Sequence, residues 1–174
     1  CAQMGAVRTG KFAHLITDTI EYESAAMLGS NLGIHNIKAL AALTHRCDSL
    51  GVDTISMGNV IGFAFEAVQN GWIKTQDHPA LAFGSVEGAQ HVIDSVCLQH
   101  NDLGRLLGQG VKRASAELHP EAADVALHVR GMEVPGWAPR GTPGMGLAYM
   151  TADRGACHQR GFMVGYELGG KKYK

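Results

Sequence analysis

From Asn36 to Gly71 the sequence specifies two helices and the joint between them, and this pair constrains the fold more than any other stretch. Asn36 is a strong N-cap residue. After it Ile37, Leu40, Leu43, Cys47 and Leu50 recur at helical spacing until Gly51, which suits a left-handed C-terminal cap. A second helix is predicted over 54–69, with Ile55, Ile61, Phe65 and Val68 on its buried side and Asn70-Gly71 as its stop. Gly58 and Gly62, one turn apart, thin that helix for close approach by a neighbour.

The joint itself, HRCDSLGVDTIS from His45 to Ser56, places Asp48 and Asp53 on either side of Gly51. Capping of the second helix accounts for Asp53. It does not account for Asp48, whose charge in the last turn of the first helix opposes the helix dipole. Carboxylates held at a helix joint, beside a glycine that lets backbone approach, are also suited to accept hydrogen bonds from an amidine-like edge with adjacent N–H donors. A pterin has such an edge.

Elsewhere the pattern is coarser. In residues 2–35 a short extended piece is predicted in TGKFAHLITDT and a short helix in EYESAAMLGSNLGI, broken at Gly29 and Gly33. A third helix starts near Val86 behind a Ser85 cap and runs to about His100. A fourth carries Leu103, Leu106, Leu107, Val111 and Ala114, with a break near Gly108 to Gly110. Val125, Leu127 and Val129 alternate with Ala126, His128 and Arg130, the period of a short strand. The Gly- and Pro-rich GMEVPGWAPRGTPGMG then argues against a regular element, and LAYMTADRGACHQRGFMVGYELGG reads as one or two helices. A boundary is placed near Gly131.

Composition narrows the classes of function. With 174 residues, 45% of them hydrophobic, the chain can bury one core or one core and part of another. A net charge of −1 without a basic stripe argues against nucleic acid, and no run reaches the roughly 18 to 20 apolar residues of a membrane-spanning helix. The chain opens Cys1-Ala2-Gln3 without Met or a signal-peptide pattern and reads as an internal piece of a longer polypeptide. Cys1, Cys47, Cys97 and Cys157 lie far apart, in no disulfide-scaffold spacing, which favours reduced thiols and a cytoplasmic location.

Other constellations read blandly from their residues alone. Glu21 and Glu23 are satisfied as solvated acids at a helix start; a proton-transferring carboxylate is the functional alternative. HRC and ACH lack the paired spacings of structural zinc sites, and PRGTPGMG lacks the Lys-Ser or Lys-Thr of a phosphate-binding loop. Cys157 beside His158 is no sign of a nucleophile and its base, because such pairs are brought together by the fold rather than by adjacency.

Taken in order, EYES…LGSNLGI, CDSLGVDTIS and GLAYMTADRGACH resemble the tungsten-dependent aldehyde ferredoxin oxidoreductase family over nearly the whole chain. Asp48-x-x-Gly51-Val52-Asp53 is similar to that family's D-x-x-G-L-D pterin-binding motif, with Val52 in place of Leu. The resemblance implies a mainly α fold, a helical domain of the aldehyde ferredoxin oxidoreductase type with little strand. Residues 1–130 would belong to the middle helical domain and 131–174 to the start of the C-terminal helical domain.

It further implies a tungsten (or molybdenum) bis-pterin centre that oxidises an aldehyde to a carboxylic acid with water, and a [4Fe–4S] cluster that passes electrons to ferredoxin. On this resemblance Asp48, Gly51, Val52 and Asp53 bind a pterin. Glu23 matches the carboxylate close to tungsten, as general acid or base, and His158 the histidine that hydrogen-bonds the substrate carbonyl or an oxo ligand. Cys1 matches the third cysteine of a C-x2-C-x3-C cluster motif. The remaining domains of the same polypeptide would complete the site, so this piece alone is not expected to be active; a homo-oligomer is compatible with the resemblance.

The chain also departs from the family pattern. Gly136-Trp137-Ala138-Pro139-Arg140 stands where A-Y-D-P-R is frequent, which replaces a phenol near the metal by an indole and removes an acid. Ala42 with His45 replaces the Glu-x-x-His of a subunit-bridging ion, so no such ion is expected. LITDTI precedes EYES in place of an acidic-glycine context. Trp137 keeps open the same cofactor acting on another carbonyl-type substrate or aromatic acid derivative, and a reading of another class is a helical module without catalysis.

Overall fold

The computed structural model describes residues 4–74 and 80–169. The expected helix pair is its centre. In α2, Ile37–Leu50, Asn36 accepts from the N–H groups of Lys38 (3.0 Å) and Ala39 (3.4 Å), and Gly51 closes the helix at φ 70°. In α3, Thr54–Gln69, Asp53 accepts from Ser56 N–H at 2.8 Å. Leu43, Cys47, Ile61 and Phe65 are fully buried, and their removal from water is the main drive that holds the pair together.

Ile37 departs from expectation and is 65% exposed. Sitting in the first turn, it projects past the packed face into an open groove beside an N-terminal hairpin formed by β1, Met4–Ala6, and β2, Ile16–Asp18. That hairpin supplies the extended piece anticipated around TGKFAHLITDT. The short helix follows as α1, Tyr22–Leu28, and stops at Gly29. It crosses α3 at Gly58, where an added Cβ would lie 2.6 Å from Met27 Cβ, while at Gly62 it would meet Asn31 Nδ2 at 3.0 Å. Both glycines therefore serve close approach, as their spacing implied.

Beyond the pair, α4, Val86–Leu98, starts on the Ser85 cap (Gly88 N–H to Oγ, 2.9 Å) and is tied to α2 by Arg46 and Asp94, Nε to Oδ1 at 2.7 Å. The anticipated fourth helix is divided into α5, Asp102–Leu107, and α6, Val111–Leu118, by Gly110 at φ 81°. The proposed strand at 125–129 shrinks. Val125 ends a 3-10 segment, Pro120–Val125, nucleated by Pro120 and by His119 Nδ1 accepting from Glu121 N–H, and β3 holds only His128–Val129.

The Gly- and Pro-rich stretch is more regular than expected. Met132–Glu133 forms β4, antiparallel to β3 across Arg130 and Gly131, both at positive φ as a two-residue hairpin turn requires. Farther along, α7, Pro143–Thr151, begins at a proline, which the first helical position tolerates. A short α8, Val164–Glu167, follows, and Glu167 caps α7 through Gly144 N–H (2.6 Å) and Met145 N–H (3.3 Å). Met145, Tyr149, Ala156 and Val164 form a second, smaller apolar cluster. The architecture is mainly α, and no helix of the described residues is long and apolar enough to cross a membrane.

Candidate active site

The joint between α2 and α3 presents its acids outward. Asp48 and Asp53 are exposed, with Gly51 between them, while Val52 turns inward and packs on the main core. Asp53 spends one oxygen on its cap; Asp48 has no side-chain hydrogen bond among the described residues. Beneath them the Cys47 thiol is pushed up to about 12, first by burial and then by Cys97 and the two aspartates. It remains a protonated core group and no nucleophile.

On the other side of Asp53 lies a cavity of about 380 Å³, to which Ser56, Glu133, Arg154, Cys157 and His158 also contribute. The loop after α7 builds this wall. Gly155, at φ 110°, is jammed against the hairpin, where a Cβ would lie 2.3 Å from Val129 O. That contact sets the course of the chain so that Cys157 is buried and half-buried His158 faces the cavity, with no hydrogen-bond partner among the described residues. His158 and Asp53, 105 positions apart in sequence, thus share one space. Asp48 does not line it.

Glu23 stands beside this space and not in its lining. Its Oε2 accepts from Gly136 N–H at 2.7 Å, whereas Oε1 is buried without a partner among the described residues. An unpaired buried carboxylate oxygen is costly, and this one is free to accept a hydrogen bond or a proton. Around it, Tyr22 stacks on Trp137 at 4.0 Å between ring centroids and donates its hydroxyl to Gly136 O (3.2 Å), while Tyr149 donates to Trp137 O (3.2 Å). The Tyr149 phenol is held well above its ordinary range by burial, with Glu23, Tyr22 and Cys157 adding to the shift. These groups form one neighbourhood linking α1 to the His158 loop. Ser24 and Thr54, Oγ to Oγ1 at 2.9 Å, tie the residues next to Glu23 and Asp53.

Sequence reasoning missed Glu133. Only 7% exposed, it accepts from Val111 N–H at 3.1 Å and from Ser56 Oγ at 3.0 Å. A lone acid between Met132 and Val134 in GMEV was the available signal. Cys1 lies outside the described residues.

The donor set suits a large polar heterocycle. Outward carboxylates at Asp48 and Asp53 offer acceptors to N–H edges, His158 offers a ring nitrogen, and the unpartnered oxygen of Glu23 awaits a donor. Among the described residues no group of three or more His, Cys, Asp or Glu is placed to hold a metal ion directly.

Comparison with known proteins identifies the family to which the whole chain is similar. The family model described as aldehyde ferredoxin oxidoreductase, domains 2 and 3, matches residues 1–174. The chain is 35% identical to the tungsten-containing aldehyde ferredoxin oxidoreductase of Thermococcus kodakarensis, over 98% of this chain and 28% of that protein. Against the protein of the same name from Pyrococcus furiosus it is 36% identical, over 91% of this chain and 26% of the relative. The chain therefore spans little more than a quarter of these relatives. In fold it is similar to the active-site complex BamBC of benzoyl coenzyme A reductase, solved with 1,5-dienoyl-CoA, at a TM-score of 0.60 and 20% identity, over 70% of this chain and 18% of that one.

Proposed function

This chain belongs to the aldehyde ferredoxin oxidoreductase family, and from that premise we propose that it forms one wall of a tungsten bis-pterin site in a larger cytoplasmic oxidoreductase. The favoured reaction takes an aldehyde and water to a carboxylate, releasing three protons and two electrons, with ferredoxin as acceptor by way of a [4Fe–4S] cluster. Residues 1–130 would be part of the middle domain and 131–174 the start of the next. The observation that carries the reading is the shared cavity of Asp53 and His158, with an unpartnered buried oxygen of Glu23 alongside.

The bound cofactor would supply the two-electron chemistry that no side chain here can perform. Asp48 and Asp53 would accept N–H bonds from one pterin, Gly51 would let it approach the backbone, and Val52 would anchor the joint to the core. Glu23, with Oε2 fixed by Gly136, presents Oε1 to take up a proton released from water. His158 would donate a hydrogen bond to the substrate oxygen and resist its drift during the reaction. Cys1 would ligate the cluster together with residues of the rest of the polypeptide.

Trp137 favours a second reading, in which the same cofactor acts on another carbonyl-type or aromatic acid derivative. Its indole is stacked on Tyr22 and meets Phe162 edge-on at 6.1 Å, an aromatic surface beside Glu23. Steady-state assays of the tungsten-loaded whole protein with aliphatic and aromatic aldehydes and ferredoxin separate the readings. Turnover of aldehydes is expected. Its absence for every aldehyde tried would overturn the first reading, and turnover confined to an aromatic acid derivative would establish the second.

A further inference from the structure

Glu133 carries a role that the roles proposed above do not use. Standing on β4, it gives one oxygen to the N–H of Val111 at the start of α6, a helix whose N-cap position is Gly110 and offers no side chain. A cap needs only that one oxygen. The other accepts the hydroxyl of Ser56 at 3.0 Å, and Ser56 in turn gives its backbone N–H to Asp53 Oδ2 at 2.8 Å. Glu133, Ser56 and Asp53 all line the same cavity.

A buried, doubly bonded carboxylate is stiff, because moving it strands two donors. Its second bond restrains the hydroxyl of Ser56, in the first turn of α3, while the backbone N–H of the same residue holds the Asp53 cap. We infer that Glu133 is a positioning residue that holds the first turn of α3, through Ser56, so that the Asp53 carboxylate meets a pterin in one orientation. This rests on the reading that Asp53 binds the cofactor. Outer partners of this kind commonly govern how well a metal centre is held.

The test is a double-mutant cycle in the whole protein with Ser56→Ala, Glu133→Ala and the pair, together with Glu133→Gln and Asp53→Asn. Tungsten and pterin retained after dialysis, and the W(V) electron paramagnetic resonance signal of the loaded fraction, are the readouts. Retention is expected to weaken about tenfold in Ser56→Ala and in Glu133→Ala, and the double variant to be no worse than Glu133→Ala. Broadening of the W(V) signal in Ser56→Ala is also expected, an effect that helix capping alone would not give. Glu133→Gln should restore most of the retention, since an amide can accept from Val111 and donate to Ser56. If Glu133→Ala fails to fold for want of the α6 cap, Ser56→Ala decides, because it leaves that cap in place. Additive losses, or an unchanged Ser56→Ala beside an Asp53→Asn that empties the site, would overturn the inference alone. Full retention in Asp53→Asn would overturn the pterin reading and the inference with it.

Discussion

The body from α1 to α6 and the segment from β3 to α8 are held by different means. In the body a continuous core runs from Leu28 through Ile61 and Phe65 to Val92 and Val111, and most helices carry their own caps. The later segment has a much smaller apolar cluster, Met145, Tyr149, Ala156 and Val164, and leaves Leu147, Met150 and Leu168 more than half exposed. Polar tethers fasten it to the body. Asn59 Nδ2 donates to Val134 O (2.9 Å), Ser56 to Glu133, and Gly136 N–H to Glu23. Each tether ends on α1 or α3 beside the proposed cofactor site, so the contacts that attach the segment also shape the cavity. Stability resides in the body, and the site's geometry in the seam.

The largest expected effect lies in the body. Phe65→Ala should cost about 3–5 kcal/mol by cavity formation, read as lost hydrogen-exchange protection across α2 to α6; loss confined to a few residues near position 65 would argue that the body is not one cooperative unit. Gly58→Ala comes next, since its Cβ would overlap Met27. A cost of about 1–3 kcal/mol is expected, with the α1 crossing displaced, and a neutral variant would mean that the crossing tolerates slack. Asn59→Ala probes the seam. Loss of its bonds to Ile55 O and Val134 O should cost about 1–2 kcal/mol and raise exchange and protease cleavage over 127–169, while α4 to α6 stay protected. Equal loosening of both regions would erase the distinction.

The last effect vanishes at neutral pH and appears only at high pH. Cys47 releases its proton near 12 in the folded chain, above its ordinary 9.0, so the native state keeps that proton where the unfolded chain has lost it. Its contribution to stability is therefore complete below about pH 9 and fades as pH rises through 12. Cys47→Ala should flatten the fall in protection of the body over that range and leave the seam's pH response unchanged.

Legibility in the sequence followed the same division. Asn36, Gly51, Asp53 and Ser85 act within a few residues of themselves, so helix ends in the body could be read from local spacing. By contrast α6 and α7 take their caps from Glu133 and Glu167, each 22 to 23 positions away, and Ser56 bonds Glu133 across 77. No local pattern announces such partners. Val125 was misread because three alternating apolar residues also suit a 3-10 turn opened by proline, and Ile37 because periodicity assigns a face but not where the packing ends. The joint's acids were conspicuous for an uncomfortable charge at Asp48, yet only the fold shows that Asp53 shares a cavity with His158 and that Asp48 stands outside it.

The most direct test of the proposed site uses the doubly substituted whole protein, Asp48→Asn with Asp53→Asn. Asparagine caps helices as well as aspartate does, so exchange protection across α2 and α3 should hold to within about 1 kcal/mol while acceptor charge at the joint is lost. Pterin and tungsten per molecule are expected to fall to near background. Undiminished content in that variant would contradict the assignment of this joint as a pterin clamp.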